Sequence, residues 1–349
     1  MGFWADRRVM VTGHTGFKGS WLAEILLARG SEVFGFALEP ETRPALFSQL
    51  GLADRMSHFV GDIRNSLVVS KRVLSVRPDV LFHLAAQPLV RRSYESPLTN
   101  WSTNVIGTAN LLDTLRDLDH PCAAIVVTTD KVYDIGEIGT PYCESDRLGG
   151  NDPYSASKAC VEILANSYRR SFLRDGFVNL ATVRAGNVIG GGDWSKDRLL
   201  PDLARAFSEG KILKVRNPSA VRPWQHVLDP LEGYLRLAEA LSSENSRSVE
   251  TSFNFGPEAN GQPTVSDLVE ECVKHWQGEW EFSNEIHAPY ESEWLYLNID
   301  RARKRLGWVP RWDFERAVFE TVSWYRHVAM GGDPAEKTRS QIKAFESHP

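Results

Sequence analysis

Residues 9–19, VMVTGHTGFKG, constrain the fold of this chain most, because spaced glycines follow a short apolar run. Residues 20–29, SWLAEILLAR, continue with helical periodicity. A strand, a glycine turn and a helix in this order predict a unit that binds the pyrophosphate of a dinucleotide at the helix N-terminus. Gly13 would make the sharp turn, Gly16 would let a phosphate approach the backbone, and Gly19 would let the helix pack against the strand.

The overall composition is that of an ordinary globular protein. The chain has 349 residues, of which 42% are hydrophobic, and its formal net charge of −5 gives no indication of a nucleic-acid-binding surface. Its four cysteines lie far apart without a CxxC pair, so neither a disulfide framework nor a metal site is predicted. No segment has the length and apolar content of a membrane span, and residues 1–6 do not resemble an export signal. We therefore expect a cytoplasmic protein without a membrane partner.

Short apolar segments predict the other strands of a parallel sheet. These segments are 32–38, 58–62, 80–85, 123–129, 180–185 and 252–256. We predict an α/β fold with a Rossmann-type doubly wound parallel sheet over residues 1–188 and about 226–256. A smaller, discontinuous C-terminal α/β domain over about 189–225 and 257–349 would bind the substrate. Its final helix, after Pro334, is expected to be a solvated end.

The segment after the second strand leaves the type of dinucleotide open. An acid at the end of this strand would accept the adenosine ribose hydroxyls of NAD, and an arginine would favour the 2′-phosphate of NADP. Glu39, Glu41 and Arg43 all follow the strand, and surface roles explain them equally well. Asp62, at the end of the third strand, would either contact the adenine amino group or cap the next helix.

The fourth strand runs into small and polar residues that suit the edge of a ligand site. Ala85 and Ala86 would let the backbone approach a ligand, and Gln87 is a candidate polar contact. Asn104, inside the apolar helical pattern TNVIGT, is either a polar tether near the site or a satisfied core amide.

The fifth strand delivers Thr129, Asp130 and Lys131 at its carboxyl end, which is where open α/β sheets bind ligands. A hydroxyl, a carboxylate and an ammonium side by side are difficult to explain by packing. Further on, NDPYSASK places Tyr154 and Lys158 one turn apart on a helix. A phenol pKa of about 10 is too high for a base near neutrality, so the ammonium would be needed to stabilise the phenolate.

Taken together, the chain resembles the extended short-chain dehydrogenase/reductase family over most of its length to about residue 230. The motifs, in order, are TGHTGFKG, Asp62, LAAQP, Asn104, TTDKVY, YSASK and RAGNVIGGGDW. Within the family it is similar to the nucleotide-sugar 4,6-dehydratases. Asp130–Lys131 stands where dTDP-glucose dehydratases carry Asp-Glu, and with the His14 and Lys18 variations and AAQPLVRRSY this favours CDP-D-glucose as substrate. The choice of cytosine comes wholly from the resemblance.

The resemblance implies a set of binding residues and an oligomeric state. NAD would be bound by Gly13, His14, Thr15, Gly16, Phe17, Lys18, Gly19, Asp62, Ile63, Ala85, Ala86, Gln87, Asn104, Tyr154 and Lys158. The nucleotide sugar would be bound by Gln87, Asn187, Arg198, Arg222 and Tyr290. A homodimer built on two long helices per subunit is also implied.

The resemblance further implies a reaction that gives CDP-4-keto-6-deoxy-D-glucose. Tyr154 would take the C4 hydroxyl proton as hydride leaves C4 for NAD, with Lys158 lowering the phenol pKa and Thr129 bonded to the C4 oxygen. The ketone acidifies the C5 hydrogen. Lys131 is the candidate base at C5, or alternatively an electrostatic stabiliser of the enolate. Asp130 is the candidate acid that helps the C6 hydroxyl leave as water, after which hydride returns to C6.

Two other functions are open to a chain with these motifs. A nucleotide-sugar 4-epimerase of the same fold also oxidises C4, but it has little use for an acid and a base at Asp130–Lys131. A non-catalytic NAD-sensing scaffold would not need Tyr154 and Lys158. The sequence therefore favours the dehydratase.

Overall fold

A parallel sheet lies at the centre of the computed structural model, which describes residues 2–134, 139–258, 263–283 and 295–348. In these residues the strands are β1 Arg8–Thr12, β2 Glu32–Ala37, β3 Ser57–Val60, β4 Val80–His83, β5 Cys122–Val127, β6 Val178–Ala185, β7 Val188–Ile189, β8 Leu213–Val215, β9 Gln225–His226, β10 Ser252–Phe255 and β11 Trp280–Phe282. Seven of them pair in the order β10-β6-β5-β4-β1-β2-β3, and every pairing is parallel. The strand order reverses between β1 and β4, so the predicted Rossmann-type doubly wound sheet is confirmed.

The helices connect these strands. In the described residues they are α1 Phe17–Ala28, α2 Leu46–Gln49, α3 Ser66–Val76, α4 Val90–Glu95, α5 Pro97–Trp101, α6 Gly107–Leu115, α7 Pro153–Ser171, α8 Leu199–Ser208, α9 Leu228–Leu241, α10 Val265–His275, α11 Asp300–Leu306, α12 Phe314–Ala329 and α13 Pro334–Ser347. A π-helical turn over Ser102–Ile106 joins α5 to α6. Helix α7 begins at a strong local signal, because Pro153 occupies its first turn and the Asp152 carboxylate accepts from the Ser155 N–H at 2.9 Å.

Apolar side chains on both faces of the sheet form the core. Along β1, Val9 and Val11 belong to the cluster on one face, and Met10 belongs to the cluster on the other. This alternation is the two-residue period of a strand. All six residues of β5 are buried, as expected for a central strand covered on both sides.

The C-terminal elements share this core with the sheet. Strand β10 pairs with β6, as predicted for residues 252–256, whereas β7 pairs with β9 and β8 with β11 outside the central sheet. Leu200, Val215 and Trp324 belong to the same continuous cluster as Val9 of β1. The division into a Rossmann domain and a smaller substrate-binding domain stays a prediction.

Helix α13 corrects the expectation of a solvated end after Pro334, which is wrong. Thr338, Ile342 and Phe345 are buried, and the Trp324 indole N–H donates to the Thr338 hydroxyl at 2.9 Å. These positions recur at helical spacing and therefore lie on one face of the helix. The charged residues between them make the segment polar on average, so the sequence suggested an exposed end. No helix in the described part of the chain has the length and apolar content of a membrane span.

Candidate functional site

The glycine turn has the geometry predicted for a dinucleotide site. Gly13 has a φ of +75°, and a Cβ there would lie 2.7 Å from the backbone nitrogen of Ala85. A Cβ on Gly19 would lie 2.2 Å from the carbonyl oxygen of Gly13, so α1 packs directly on the turn. Gly16 is exposed and is the N-cap of α1. The first turn of α1 therefore presents backbone N–H groups at the point where the strand order reverses.

The side chains of His14 and Thr15 hold this turn to the neighbouring strands. The His14 ring is fully buried, and its Nε2 lies 2.7 Å from Nδ1 of His58. Burial, reinforced by His58, lowers the pKa of His14 to about 3. The Thr15 hydroxyl donates to the carbonyl oxygen of Leu38 at 2.9 Å. Both side chains are thus bonded within the protein.

Asp62 and Ile63 follow β3, as predicted, but the helix-capping alternative for Asp62 is wrong. Asn65 caps α3 and accepts from the Val68 N–H, whereas Asp62 forms an ion pair with Arg64 at 2.5 Å. Ile63 is buried against Gly107, where a Cβ would lie 2.5 Å from the Ile63 side chain.

Asn104 ties the loop after β4 to the helix that carries Tyr154 and Lys158. Its Oδ1 accepts from the Gln87 N–H at 2.8 Å, and its Nδ2 donates to the Ser157 hydroxyl at 2.9 Å. The Gln87 side chain donates in turn to Asn100 at 3.1 Å. Of the two alternatives for Asn104, the structure shows a buried tether that is also a satisfied amide.

Thr129, Asp130 and Tyr154 form a continuous chain of polar side chains at the carboxyl end of β5. The Thr129 side chain lies close enough to the Tyr154 phenol to lower its pKa. The Thr129 hydroxyl lies 2.9 Å from Asp130 Oδ1 and donates to it. Asp130 is 1% exposed, and its Oδ2 has no hydrogen-bond partner among the described residues. The phenol and the carboxylate therefore lie close together, with Thr129 near both.

Burial dominates the protonation of this site. It raises the pKa of Tyr154 to about 12; Thr129 and Arg198 act against that rise, and Asp130 adds to it. Burial also lowers the pKa of Lys158 to about 8, with Glu162 opposing the change. The Lys158 ammonium donates to the carbonyl oxygen of Val127 at 3.0 Å. The groups that favour the phenolate in this structure are thus Thr129 and Arg198, while the expected effect of Lys158 on the phenol stays a prediction.

Lys18 lies among other charged groups of the site. Burial and then the charge of Arg198 lower the pKa of Lys18 to about 8, with Asp130 opposing and Lys158 adding to the effect. Lys18 therefore faces Asp130, Lys158 and Arg198 at once. Lys131 follows Asp130 in a single 3-10 turn. Its backbone N–H donates to the Thr129 hydroxyl, and its side chain is partly exposed.

The predicted substrate-binding residues come from the segments after β6. Asn187 has a φ of +46°, and its buried Oδ1 has no partner among the described residues. Arg198 forms an ion pair with buried Asp193 at 2.7 Å and lies close enough to Tyr154 to influence its protonation. Arg222 is buried and donates to the carbonyl oxygen of Val221 at 2.9 Å. Tyr290 lies outside the described residues.

Two residues of the site were missed by the sequence analysis. A Cβ on Gly186 would lie 1.7 Å from Asp130 Oδ2, so only glycine leaves room for the carboxylate. Gly186 stands inside RAGNVIGGGDW, but nothing in that motif indicates which side chain it accommodates. Glu162 is a buried acid one turn after Lys158. An acid on the apolar face of a helix was the signal that could have found it.

Comparison with known proteins places this geometry in a family. The profile described as GDP-mannose 4,6 dehydratase matches residues 10–321. The chain belongs to this family. It is 42% identical to the CDP-glucose 4,6-dehydratase of Salmonella typhimurium, over 99% of this chain and 98% of that protein. The resemblance to nucleotide-sugar dehydratases of the extended short-chain dehydrogenase/reductase family is thereby confirmed.

Solved structures of the same fold include both dehydratases and epimerases. A dTDP-glucose 4,6-dehydratase from Bacillus anthracis in complex with NAD superposes with a TM-score of 0.75 and 22% identity, covering 94% of this chain and 99% of that one. A UDP-glucose 4-epimerase from Thermus thermophilus in complex with NAD gives 0.77 and 25% identity, covering 91% and 98%. Because both activities share the fold, the residues of the site have to distinguish them.

Proposed function

We propose that this chain is an NAD-dependent dehydratase that converts CDP-D-glucose to CDP-4-keto-6-deoxy-D-glucose. The observation that carries the proposal is the polar chain Tyr154–Thr129–Asp130, which joins a phenol for C4 chemistry to a buried carboxylate for C6 chemistry. The similarity to the Salmonella typhimurium enzyme over nearly the full length of both chains supports the same substrate.

The glycine turn fits the diphosphate of NAD. Exposed Gly16 and the N-terminus of α1 offer backbone donors, and the close packing of Gly13 and Gly19 gives the turn its shape. Bound NAD supplies an acceptor for the C4 hydride and, once reduced, a donor of hydride to C6. Ala85 follows β4 and lies directly against the turn, where it forms part of the same surface.

Tyr154 acts as the base at the C4 hydroxyl. With its pKa at about 12 the phenol is protonated at neutral pH, so the reaction requires cations near the phenolate. Arg198 and Thr129 already act in that direction, and Lys158 lies on the same helix. Thr129 holds the C4 oxygen in line with the phenol.

Asp130 and Lys131 carry out the elimination of water. The Asp130 carboxyl group, positioned by Thr129, gives a proton to the departing C6 hydroxyl. Lys131 removes the C5 proton, which the adjacent C4 ketone has made acidic. Water leaves from C5 and C6, and C5 regains a proton from Lys131 as hydride is added to C6. C4 is oxidised and C6 is reduced, so the overall reaction is redox-neutral.

The nucleotide and diphosphate are held by the segments after β6. Arg198 offers a planar guanidinium to the diphosphate, and the side-chain amide N–H groups of Asn187 are further donors. Arg222 and Tyr290 are further proposed contacts of the nucleoside, and Gln87 of the hexose.

Incubation with CDP-glucose and NAD tests this function against its alternatives. The dehydratase gives a keto sugar with absorbance in alkali and a mass lower by one water. A 4-epimerase gives a product of unchanged mass, and a non-catalytic scaffold gives none. UDP-, GDP- and dTDP-glucose assayed in parallel identify the preferred base.

We further propose a cytoplasmic homodimer. Leu98 on α5, Ile106 in the π-helical turn and Ile163 on α7 are 82%, 54% and 59% exposed, and these helices pack against one another. Exposed apolar side chains on adjacent helices suit an interface with a second copy. Light scattering on Ile163→Glu is expected to show a monomer, and an unchanged dimer would exclude this face. The four cysteines are free thiols, which agrees with a reducing compartment.

A further inference from the structure

Glu162 makes four buried hydrogen bonds to two strands. Its Oε1 accepts from the Thr128 hydroxyl at 2.5 Å and from Arg184 Nε at 3.0 Å. Its Oε2 accepts from the Thr182 hydroxyl at 2.7 Å and from Arg184 Nη2 at 2.9 Å. Helix α7 is thereby attached to the end of β5 and to β6 through one side chain. We call Glu162, Thr128, Thr182 and Arg184 the Glu162 cluster.

The Glu162 cluster lies between the two elements that carry the chemistry. Glu162 is one turn beyond Lys158 on α7, and Thr128 directly precedes Thr129 and Asp130. Lys158 itself donates to the carbonyl oxygen of Val127 at 3.0 Å. Two consecutive turns of α7 therefore hold Val127, the last residue of β5, and Thr128, which follows it.

The Glu162 cluster contributes less to the stability of the fold than well-packed apolar residues would. Both charged side chains are buried, at 4% exposure for Arg184 and 3% for Glu162. A buried ion pair gives little net stability over well-packed hydrophobic residues, because both charges lose their hydration. Each oxygen of the Glu162 carboxylate accepts two hydrogen bonds. This geometry instead fixes the relative position of the helix and the strands.

We propose that Glu162 is a positioning residue, which sets the register of the Tyr154–Lys158 helix against the strand end that carries Thr129 and Asp130. This inference rests on the proposed function. Without the bond to Thr128, α7 would remain attached to β6 through Glu162, but its only remaining bond to this strand end described above would be that from Lys158 to Val127. The separation of Tyr154 from Thr129 would then vary.

Two buried threonines offer a matched test. Thr128→Val and Thr182→Val each remove one hydroxyl donor to Glu162, and each hydroxyl also lies near one backbone carbonyl. Only Thr128 adjoins the catalytic strand end. We expect similar losses in thermal midpoint for the two variants. We expect kcat for C4 oxidation to fall about tenfold or more in T128V, with KM little changed, because small misplacements of reacting groups are costly. T182V should stay close to the wild type.

Glu162→Gln supplies a readout that depends on charge. Lys158 faces Glu162 on its own helix, Lys18 from α1 and His83 from β4. Removing the carboxylate charge lowers the pKa of Lys158 further, so the alkaline limb of the pH–rate profile should move to lower pH. If the alkaline limb does not shift in a folded E162Q variant, the charge of Glu162 does not act on Lys158. If E162Q does not fold, because the charge of Arg184 is left unpaired, the comparison of T128V with T182V tests the proposal by itself.

NAD binding, measured by calorimetry, separates this inference from the proposed function. Lys158 is among the residues expected to bind NAD, so T128V should bind NAD several-fold more weakly than T182V. Wild-type protein that turns over no nucleotide sugar would refute the function, and the difference in NAD affinity would still support the positioning role. Equal NAD affinities and equal kcat values for T128V and T182V would overturn it.

Discussion

Gly186→Ala tests whether the buried carboxylate of Asp130 is needed for elimination but not for oxidation. Gly186 directly follows β6, and an added Cβ would lie 1.7 Å from Asp130 Oδ2 and 2.0 Å from its Cγ. Cβ atoms essentially never approach other heavy atoms within 3.0 Å. The φ of Gly186 is not in the left-handed region, so the backbone accepts alanine and only the carboxylate has to move.

The size of that movement sets the expected effect. The carboxylate has to shift by about 1 Å or more, and a displacement of 1 Å in a catalytic group costs about 10²-fold in rate. Proton transfer by a positioned acid is worth about 10²–10⁴-fold, which brackets the same loss. We expect keto-sugar formation to fall at least 100-fold (about 3 kcal/mol in the barrier). C4 oxidation should fall less than elimination, because the three atoms nearest the added Cβ all belong to Asp130.

The assay measures the two steps separately in a single turnover. Absorbance of NADH reports C4 oxidation, and alkaline absorbance of the keto sugar reports the completed reaction. Gly256→Ala is a matched control, since Gly256 follows Phe255 of β10, which pairs with Ala185 of β6. An added Cβ on Gly256 would meet nothing closer than 3.5 Å. Wild-type product formation by a folded G186A enzyme would refute the role of Asp130.

Three further changes have defined outcomes. Tyr154→Phe removes the base at C4, so NADH absorbance should not appear in a single turnover; undiminished absorbance would remove Tyr154 from that role. Lys131→Ala should still permit C4 oxidation but stall elimination, and normal product formation would exclude Lys131 as the C5 base. Asp229 is buried, and its pKa is raised by burial from 3.8 to about 7. The folded state therefore binds the proton more tightly, and stability falls as pH rises through this window, by about 1.4 kcal/mol per pH unit at most. Asp229→Asn should remove this slope in urea unfolding at pH 5 and pH 8, and parallel curves for both proteins would contradict it.

Local signals in the sequence determined the frame of the site. The glycine turn, the apolar runs of β1 and β5, and the Pro153 start of α7 depend on residues that are neighbours in the chain. Backbone geometry and side-chain periodicity act over a few residues, so such patterns predict them directly. The sequence also predicted that the polar groups after the strands lie together, because a parallel sheet brings the carboxyl ends of its strands to one edge.

Contacts between distant segments decided the rest. His58 against His14, Gly186 against Asp130 and Arg184 against Glu162 join residues far apart in the chain, and no local pattern indicates them. The phenol pKa depends on how deeply Tyr154 is buried and on which charges surround it, and both are properties of packing. The sequence alone therefore proposed the catalytic groups, while only the tertiary structure decided their partners, their spacing and their protonation, because desolvation and Coulomb energies depend on distance in space.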